Sequence, residues 1–381
     1  MNLDRRFPCV AEMEKAARRR IPKIAWDYLA GGIGLEASLA RNRRMLDEVI
    51  LTPRYLGEWE GVPDLSTRLM GRDWAAPFGV APVGLGGMLW PRSAEHLVRA
   101  AAAANIPFAL STVANATLEE IGRLAPGHPW FQLYAMKDRE MNRHVLGRAQ
   151  AAGYDTLIVT VDVPKKMRRD RDMKNGLGWA PGWDLGLALD IALHPAWAWQ
   201  MARHGMPRFN NLTDYLPKGL SVEEIGKELS RIRDGRITAT KLGQYREDWG
   251  GKLVVKGILS PAEAVICRDA GADAVIVSNH GGRQIDAARS AVEVLPAIRA
   301  AVGPDYPLIA DGGVRNGLDI MRMLACGADF VLLGRAFYFA VAAMGAPGAA
   351  HAIHVLREEL AITMGQLGAR RPADLPGFMD R

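Results

Sequence analysis

From Ala76 onward, short apolar runs of strand length alternate with amphipathic stretches of helical length. The strand-like runs are PFGVAP (77–82), IPFALS (106–111), WFQLY (130–134), TLIVTVD (156–162), KLVVKG (252–257), DAVIVS (273–278), PLIADGG (307–313) and DFVLLG (329–334). Helical stretches such as Ser93 to Ala104, Asp138 to Ala152, Pro261 to Ala270 and Asn316 to Cys326 fall between them. Eight strands with intervening helices is the count of a closed (β/α)8 TIM barrel, and it argues against an open doubly wound sheet. Ahead of the barrel, Cys9 to Leu29 reads as helices, with Pro22 opening a second one that stops at Gly31 and Gly32. Asp162 to Lys252 is too long for an ordinary connection, so about 163–250 is an insertion above the barrel mouth after strand four. It has a charged start (165–174), a Trp-rich apolar middle (178–202) and a polar helical end (221–234). The expected organisation is a single domain over 1–381, with the barrel at about 76–345.

Composition narrows the class. The 381 residues are 49% hydrophobic, ample for one large core, and the formal charge is +6. The resulting pI near 9.3 suits an anionic substrate, a phosphate-bearing cofactor or an anionic lipid surface. No dense Lys/Arg stripe interleaved with aromatics is present, so nucleic acid is not an expected partner. Cys9, Cys267 and Cys326 are far apart and lack metal-ligand spacing, which predicts a reducing, cytoplasmic setting, no disulfide and no metal site. Charges throughout the N-terminal stretch leave no apolar core for a signal peptide, and no run is long enough for a spanning helix. Trp179, Trp183, Trp197 and Trp199 in the insertion suit a bilayer interface, or a segment folded over the active site or an oligomer contact.

The strand ends carry the candidate chemistry. In a parallel barrel, ligands bind at the C-terminal edge of the strands. That edge here holds Pro82, Val83 and Gly84, then Ser111, Gln132 with Tyr134, Thr160 with Asp162, and Lys256. It continues with Ser278, His280 and Arg283, then Asp311, Gly312, Gly313 and Arg315, and ends on Gly334 and Arg335. A guanidinium three residues after an imidazole suits clamping a carboxylate while the imidazole takes a proton from the neighbouring atom. Alone, His280 could be a strand cap, Arg283 a solvated charge and Tyr28 a core contact. The recurrence of polar groups at nearly every strand end tilts the reading towards one pocket. Gly312 and Gly313, a helix opening at Gly334, and Arg315 with Arg335 suggest a phosphate site. There is neither a GxGxxG nor a P-loop. Ser111, Gln132, Thr160 and Lys256 would then face a flat heterocycle such as a flavin, with Lys256 countering charge that builds on its reduction. A Schiff-base role for Lys256 is the alternative.

SNHGGRQID, DGGVR, LLGRA, TVDVP, FQLY, LVVKG and the N-terminal WDYLAGG, seven motifs that fall in the correct order along the chain between about Cys9 and Gly365, together resemble the FMN-dependent 2-hydroxy acid dehydrogenases and oxidases. LWPRSAE, LSTVAN and ALHPAWAWQMARHGMP are similar to the membrane-associated mandelate and lactate dehydrogenase branch of that family. The resemblance implies FMN as cofactor and oxidation of an (S)-2-hydroxy acid, mandelate-like first and L-lactate second. Electrons would pass to a quinone, or to oxygen if the chain works as an oxidase. It implies His280 as base, Asp162 as partner of the imidazolium, and Arg283 and Tyr28 on the carboxylate. Tyr134 would meet the substrate hydroxyl oxygen, and Arg169 would add positive charge. Pro82, Val83, Gly84, Ser111, Gln132, Thr160, Lys256 and Ser278 would contact the ring or ribityl chain. Asp311, Gly312, Gly313, Arg315, Gly334 and Arg335 would hold the ribityl and phosphate end. The resemblance also implies a homotetramer and peripheral contact through 178–202 with the inner face of the cell membrane. Three departures stand out: Val113 replaces the tryptophan of glycolate oxidase and opens the pocket, Gly84 replaces an alanine common in the oxidases, and the loop after Asp162 is unusually cationic.

Overall fold

The computed structural model describes residues 2–57, 61–165, 167–177, 185–217, 219 and 222–379. Eight parallel strands close into a barrel. They are β1 (Phe78–Val80), β2 (Phe108–Ser111), β3 (Pro129–Leu133), β4 (Thr156–Thr160), β5 (Lys252–Ile258), β6 (Ala274–Val277), β7 (Leu308–Asp311) and β8 (Phe330–Leu333). β8 pairs back onto β1 through Val331 and Phe78, so the sheet has no free edge. Each strand is covered on both faces, which is why its sequence is a continuous apolar run without alternation. Helices start where short polar side chains can accept from their first free N–H groups: Thr117 from Glu120, Asp138 from Glu140, and Asn316 from Asp319.

Inside the barrel, Ala81, Ala109, Trp130, Ile158, Val254, Ile276, Ile309, Phe330 and Leu332 pack as one cluster. A hairpin that the sequence pattern did not announce, Thr67–Leu69 with Arg72–Trp74, closes its lower end. Trp74 meets Trp130 edge to face at 6.1 Å between ring centroids. The hairpin turns at Met70 and Gly71, both at positive φ, as a two-residue turn matched to strand twist requires.

The upper end is built from additional helices. α1 (Val10–Arg20) and α2 (Lys23–Ala30) are the expected pair, and α3 (Ala37–Asp47) follows them. The insertion lies between β4 and β5 and contains α4 (Asp170–Lys174), α5 (Leu185–Ala192), α6 (Pro195–His204) and α7 (Val222–Ile232). Residues 178–184 of its apolar middle, with Trp179 and Trp183, lie outside the described residues. α8 (Arg335–Met344) leaves the end of β8. No helix among the described residues is long and apolar enough to cross a membrane.

Candidate active site

A register shift between Lys256 and Ile258 breaks the β5–β6 ladder where the site begins. Gly257 sits there at φ 108°, and a Cβ on it would lie 2.5 Å from the Asp162 Cβ. The bulge therefore needs glycine both for its dihedral and for the approach of Asp162, and it turns Lys256 inwards. The buried Lys256 Nζ lies 3.0 Å from Asp311 Oδ2 and donates to Ser278 Oγ at 2.7 Å. Burial pulls the pKa of this ammonium down, but Asp311 and Asp162 outweigh that and hold it above the usual lysine value.

His280 has φ 58°, unusual for a side-chain-bearing residue, and is followed by two glycines also at positive φ. This left-handed run reverses the chain just past β6 and leaves the imidazole in contact with Asp162 and Tyr134. Its backbone N–H is held by Ser278 Oγ at 3.0 Å. Asn279 pins the same loop, donating to Asn42 Oδ1 at 2.7 Å and accepting from the Gly282 N–H at 3.1 Å. His280 Nδ1 lies 2.9 Å from Asp162 Oδ1, and Nε2 lies 3.4 Å from the Tyr134 hydroxyl. An ionised carboxylate only accepts, so Nδ1 is the donor in this contact, and in the neutral form of the ring Nε2 is the nitrogen left with a lone pair, facing Tyr134. Burial pushes the Asp162 carboxyl up, yet His280 and Lys256 more than offset this and keep it below the usual aspartate value.

Tyr28, on α2, reaches the same space and donates to the Gly84 carbonyl at 2.9 Å. Burial pushes its phenol up to about 12, so it is neutral at physiological pH. The Arg169 and Arg283 guanidinium carbons lie 5.4 and 5.1 Å from its ring centroid. Arg283 is anchored by one nitrogen on the carbonyls of Tyr28 and Gly31, and Arg169 is anchored by Asp172 Oδ2 at 2.8 Å. Of the three arginines in the charged loop, Arg168 is exposed and Arg171 pairs with Glu36; Arg169 is the one beside Tyr28.

Across the barrel mouth, Ser111 Oγ donates to Gln132 Oε1 at 2.8 Å and Gln132 Nε2 donates to Thr160 Oγ1 at 2.9 Å. Asp311 Oδ1 is buried with no hydrogen-bond partner among the described residues. Gly312 and Gly313 turn the chain beyond it, and Val83 faces Gly334 at the start of α8. Arg335 donates to the carbonyls of Leu29, Gly31 and Gly281. Burial and the neighbouring Arg315 lower its pKa to about 9, still cationic at neutral pH. Arg315 has Glu14 Oε2 at 3.8 Å and the Phe339 ring beneath it. The chain thus brings an imidazole, the carboxylate it bonds, two guanidinium groups, two tyrosines and a buried ammonium to one rim.

The profile described as FMN-dependent dehydrogenase matches residues 17–379. The chain belongs to the FMN-dependent dehydrogenase family. Among its relatives, L-lactate dehydrogenase of Chromohalobacter salexigens is 42% identical over 94% of this chain and 92% of that one. L-lactate dehydrogenase of Caulobacter vibrioides is 42% identical over 96% and 95%. Among solved structures, the monotopic membrane protein (S)-mandelate dehydrogenase superposes with TM-score 0.92 at 36% identity, covering 98% of each chain. A soluble mutant of the membrane-associated (S)-mandelate dehydrogenase from Pseudomonas putida gives 0.83 at 34% identity, covering 98% of this chain and 99% of that one. The protein is a flavoprotein oxidoreductase that uses FMN and acts on 2-hydroxy acids, and its (β/α)8 barrel is the one expected from the pattern of strands. Sequence reasoning passed over Asn279, which sits just past the end of β6 but bonds back to Asn42, and Asp172, Asp27 and Glu36, which lie away from the strand ends.

Proposed function

We propose that this protein oxidises an (S)-2-hydroxy acid to the 2-oxo acid, with a mandelate-like substrate first and L-lactate second, and passes the electrons to a membrane quinone. The observation that carries this reading is the His280 Nε2 lone pair, fixed by Asp162 and facing Tyr134 beside the Tyr28, Arg169 and Arg283 group. Two guanidinium groups around a neutral phenol suit a carboxylate, which both can meet through paired N–H donors. With the carboxylate there, the hydroxyl-bearing carbon falls within reach of Nε2. His280 takes the proton, and Asp162 stabilises the imidazolium that forms. Tyr134, neutral because burial raises its pKa, keeps a donor for the substrate oxygen.

The residues at the rim fit FMN. Asp311 Oδ1 is a buried acceptor that needs a hydroxyl donor, which a ribityl chain provides. Arg315, Arg335, Gly312, Gly313 and Gly334 suit the phosphate. Pro82, Val83, Gly84, Ser111, Gln132, Thr160, Ser278 and Lys256 suit the ring and its adjoining chain. When bound, FMN supplies the two-electron acceptor for the substrate carbon. A cationic Lys256 favours negative charge near it and leaves no neutral amine for a Schiff base. A quinone acceptor is supported by the exposed apolar face of the insertion; an oxygen-using oxidase is the second reading, and a tetramer remains part of the proposal.

The test is anaerobic mixing of the yellow protein with (S)-mandelate, L-lactate and glycolate in turn, following loss of flavin absorbance. Mandelate should bleach fastest, and His280→Gln should slow bleaching by about 10²- to 10⁴-fold. No bleaching with any of the three, or a near wild-type rate in the variant, would refute the assignment.

A further inference from the structure

Beyond β3 the chain continues through Tyr134 to Met136, and there the end of the insertion returns to it. Met136 and Arg233 form an antiparallel bridge. The Asp234 N–H donates to the Ala135 carbonyl at 2.8 Å and the Lys137 N–H donates to the Ile232 carbonyl at 2.8 Å. The two bonds flank the 136/233 pair, which is the non-hydrogen-bonded arrangement, in which facing side chains sit closest. Tyr134 is two residues before Met136 and so is the diagonal neighbour of Arg233, within reach of a long side chain.

Arg233 is half-buried, and among the described residues its guanidinium has no carboxylate and no hydrogen-bond acceptor. Its surroundings make this unusual. Arg231 pairs with Glu228, Arg139 with Asp248, and Asp234 is taken by Lys241. Burial lowers the Arg233 pKa, and the group that opposes this is the Tyr134 phenol. The charge of Arg233 is likewise felt at Tyr134, together with that of Arg169. A guanidinium withdrawn from water with nothing to pair with is costly, and a ligand anion would offset that cost.

We propose that Arg233 selects a 2-hydroxy acid that carries a second carboxylate at the far end of its side chain. Arg169 and Arg283 serve the carboxylate next to the reacting carbon, and Arg233, from a different element, serves the one carried by the substituent. This rests on the oxidation proposed above and narrows the substrate class. The carrier of the second carboxylate is either an aromatic ring or an alkyl chain, and one experiment separates them.

The anaerobic flavin-reduction assay is run on the holoprotein with two pairs of substrates: 4-carboxymandelate against (S)-mandelate, and (S)-2-hydroxyglutarate against (S)-2-hydroxybutyrate. At least one charged member should exceed its uncharged counterpart in kcat/KM by about 10- to 100-fold, the range of a charge-assisted hydrogen bond. Arg233→Met should erase that ratio, and Arg233→Lys should keep part of it, since a point charge remains without the paired donors. FMN content and the visible spectrum of each variant establish that it is folded. Ratios near one in both pairs, or a ratio that survives Arg233→Met, overturn the selection by Arg233 while the oxidation stands. Failure of all four acids to bleach the flavin overturns both.

Discussion

Lys256 is the side chain whose charge the site can least lose. Its removal would leave the buried Asp311 without an ion-pair partner among the described residues, and breaking a buried pair from one side costs about 3–5 kcal/mol. Lys256→Met should therefore lower the melting temperature and the FMN content of the purified protein. The pH dependence has a definite sign. A lysine whose folded pKa is raised stabilises fully below its unfolded value and loses that contribution as pH rises through the folded one. The melting-temperature gap between Lys256→Met and wild type should thus stay flat from neutrality to about pH 10, where an ordinary lysine begins to titrate. A gap that closes near neutrality would mean Lys256 is already uncharged there. At Gly84 the constraint is steric: a Cβ would lie 2.5 Å from Val113 Cγ2. Gly84→Ala should lower kcat/KM or stability, and Val113→Ala in the same chain should restore most of the loss. Additive effects of the two changes would show that the residues do not compete for space. His280, Lys256 and Asp162 were legible in the sequence because an apolar run that ends in a charged residue is conspicuous. Asn279 lay inside the same motif and was passed over, since its work is to bond Asn42 of a helix more than two hundred residues earlier in the chain.

At the scale of elements, α2 is the piece on which the substrate end of the pocket depends. It carries Tyr28, and the carbonyls at its C-terminal end hold Arg283 and Arg335. The insertion holds α2 in turn. Asp190 of α5 accepts from the Lys23 N–H at 2.7 Å, filling a free donor in the first turn of α2. Asp27 accepts from Asn175 Nδ2 at 2.8 Å and from Lys23, and lies 3.5 Å from Arg171 Nη1. Burial raises the Asp27 carboxyl, but Lys23, Asn175 and Arg171 outweigh this, so it remains charged. Asp27→Ala should loosen α4 from α2 and shift Tyr28 against Arg169. The expected result is a rise of about 10-fold in KM, the size of one lost charge-assisted contact, with FMN content retained. Arg171→Ala should give a similar rise, and the two together little more than either alone; full additivity would show that the contacts act separately. The strands were readable from pattern because burial on both faces leaves an uninterrupted apolar run. This latch was not, since its partners lie on three segments whose proximity only the closed barrel creates. The same holds for the hairpin under the barrel, whose Met70-Gly71 turn has glycine at its second central position but methionine at the first, where Asn, Asp or Gly would usually advertise it.

For the whole molecule, the question is what lies against the insertion. Leu185, Leu189 and Leu193 are 91%, 62% and 70% exposed, and their four-residue spacing lines them along one side of α5 and its continuation. On α6 and just beyond it, Trp199 and Met206 are 66% and 71% exposed, whereas Trp197 and Met201 on the same stretch are 5% and 6% exposed and fix α6 to the barrel. Trp197 does so through its indole N–H, which donates to the Met88 carbonyl at 2.9 Å. An element can thus be firmly seated and still turn leucines and a tryptophan outwards, which is the arrangement of a helix lying in a bilayer interface. Arg203, His204 and Arg208 follow in sequence and suit anionic headgroups. Leu189→Ser, Leu193→Ser and Trp199→Ser combined should cut partitioning onto phosphatidylglycerol-containing vesicles by about 100-fold or more, since each buried side chain contributes on the order of 1.5–3 kcal/mol. Co-sedimentation measures this. High salt should weaken binding of the wild type only in part, because the apolar contribution is not screened. The same triple variant should keep its rate with a soluble dye acceptor and lose turnover with a quinone dissolved in the vesicles, since only the proposed membrane quinone requires the protein to be seated on the bilayer. Undiminished sedimentation of the triple variant would place the membrane contact elsewhere. Unchanged quinone turnover despite lost sedimentation would separate the electron route from this face.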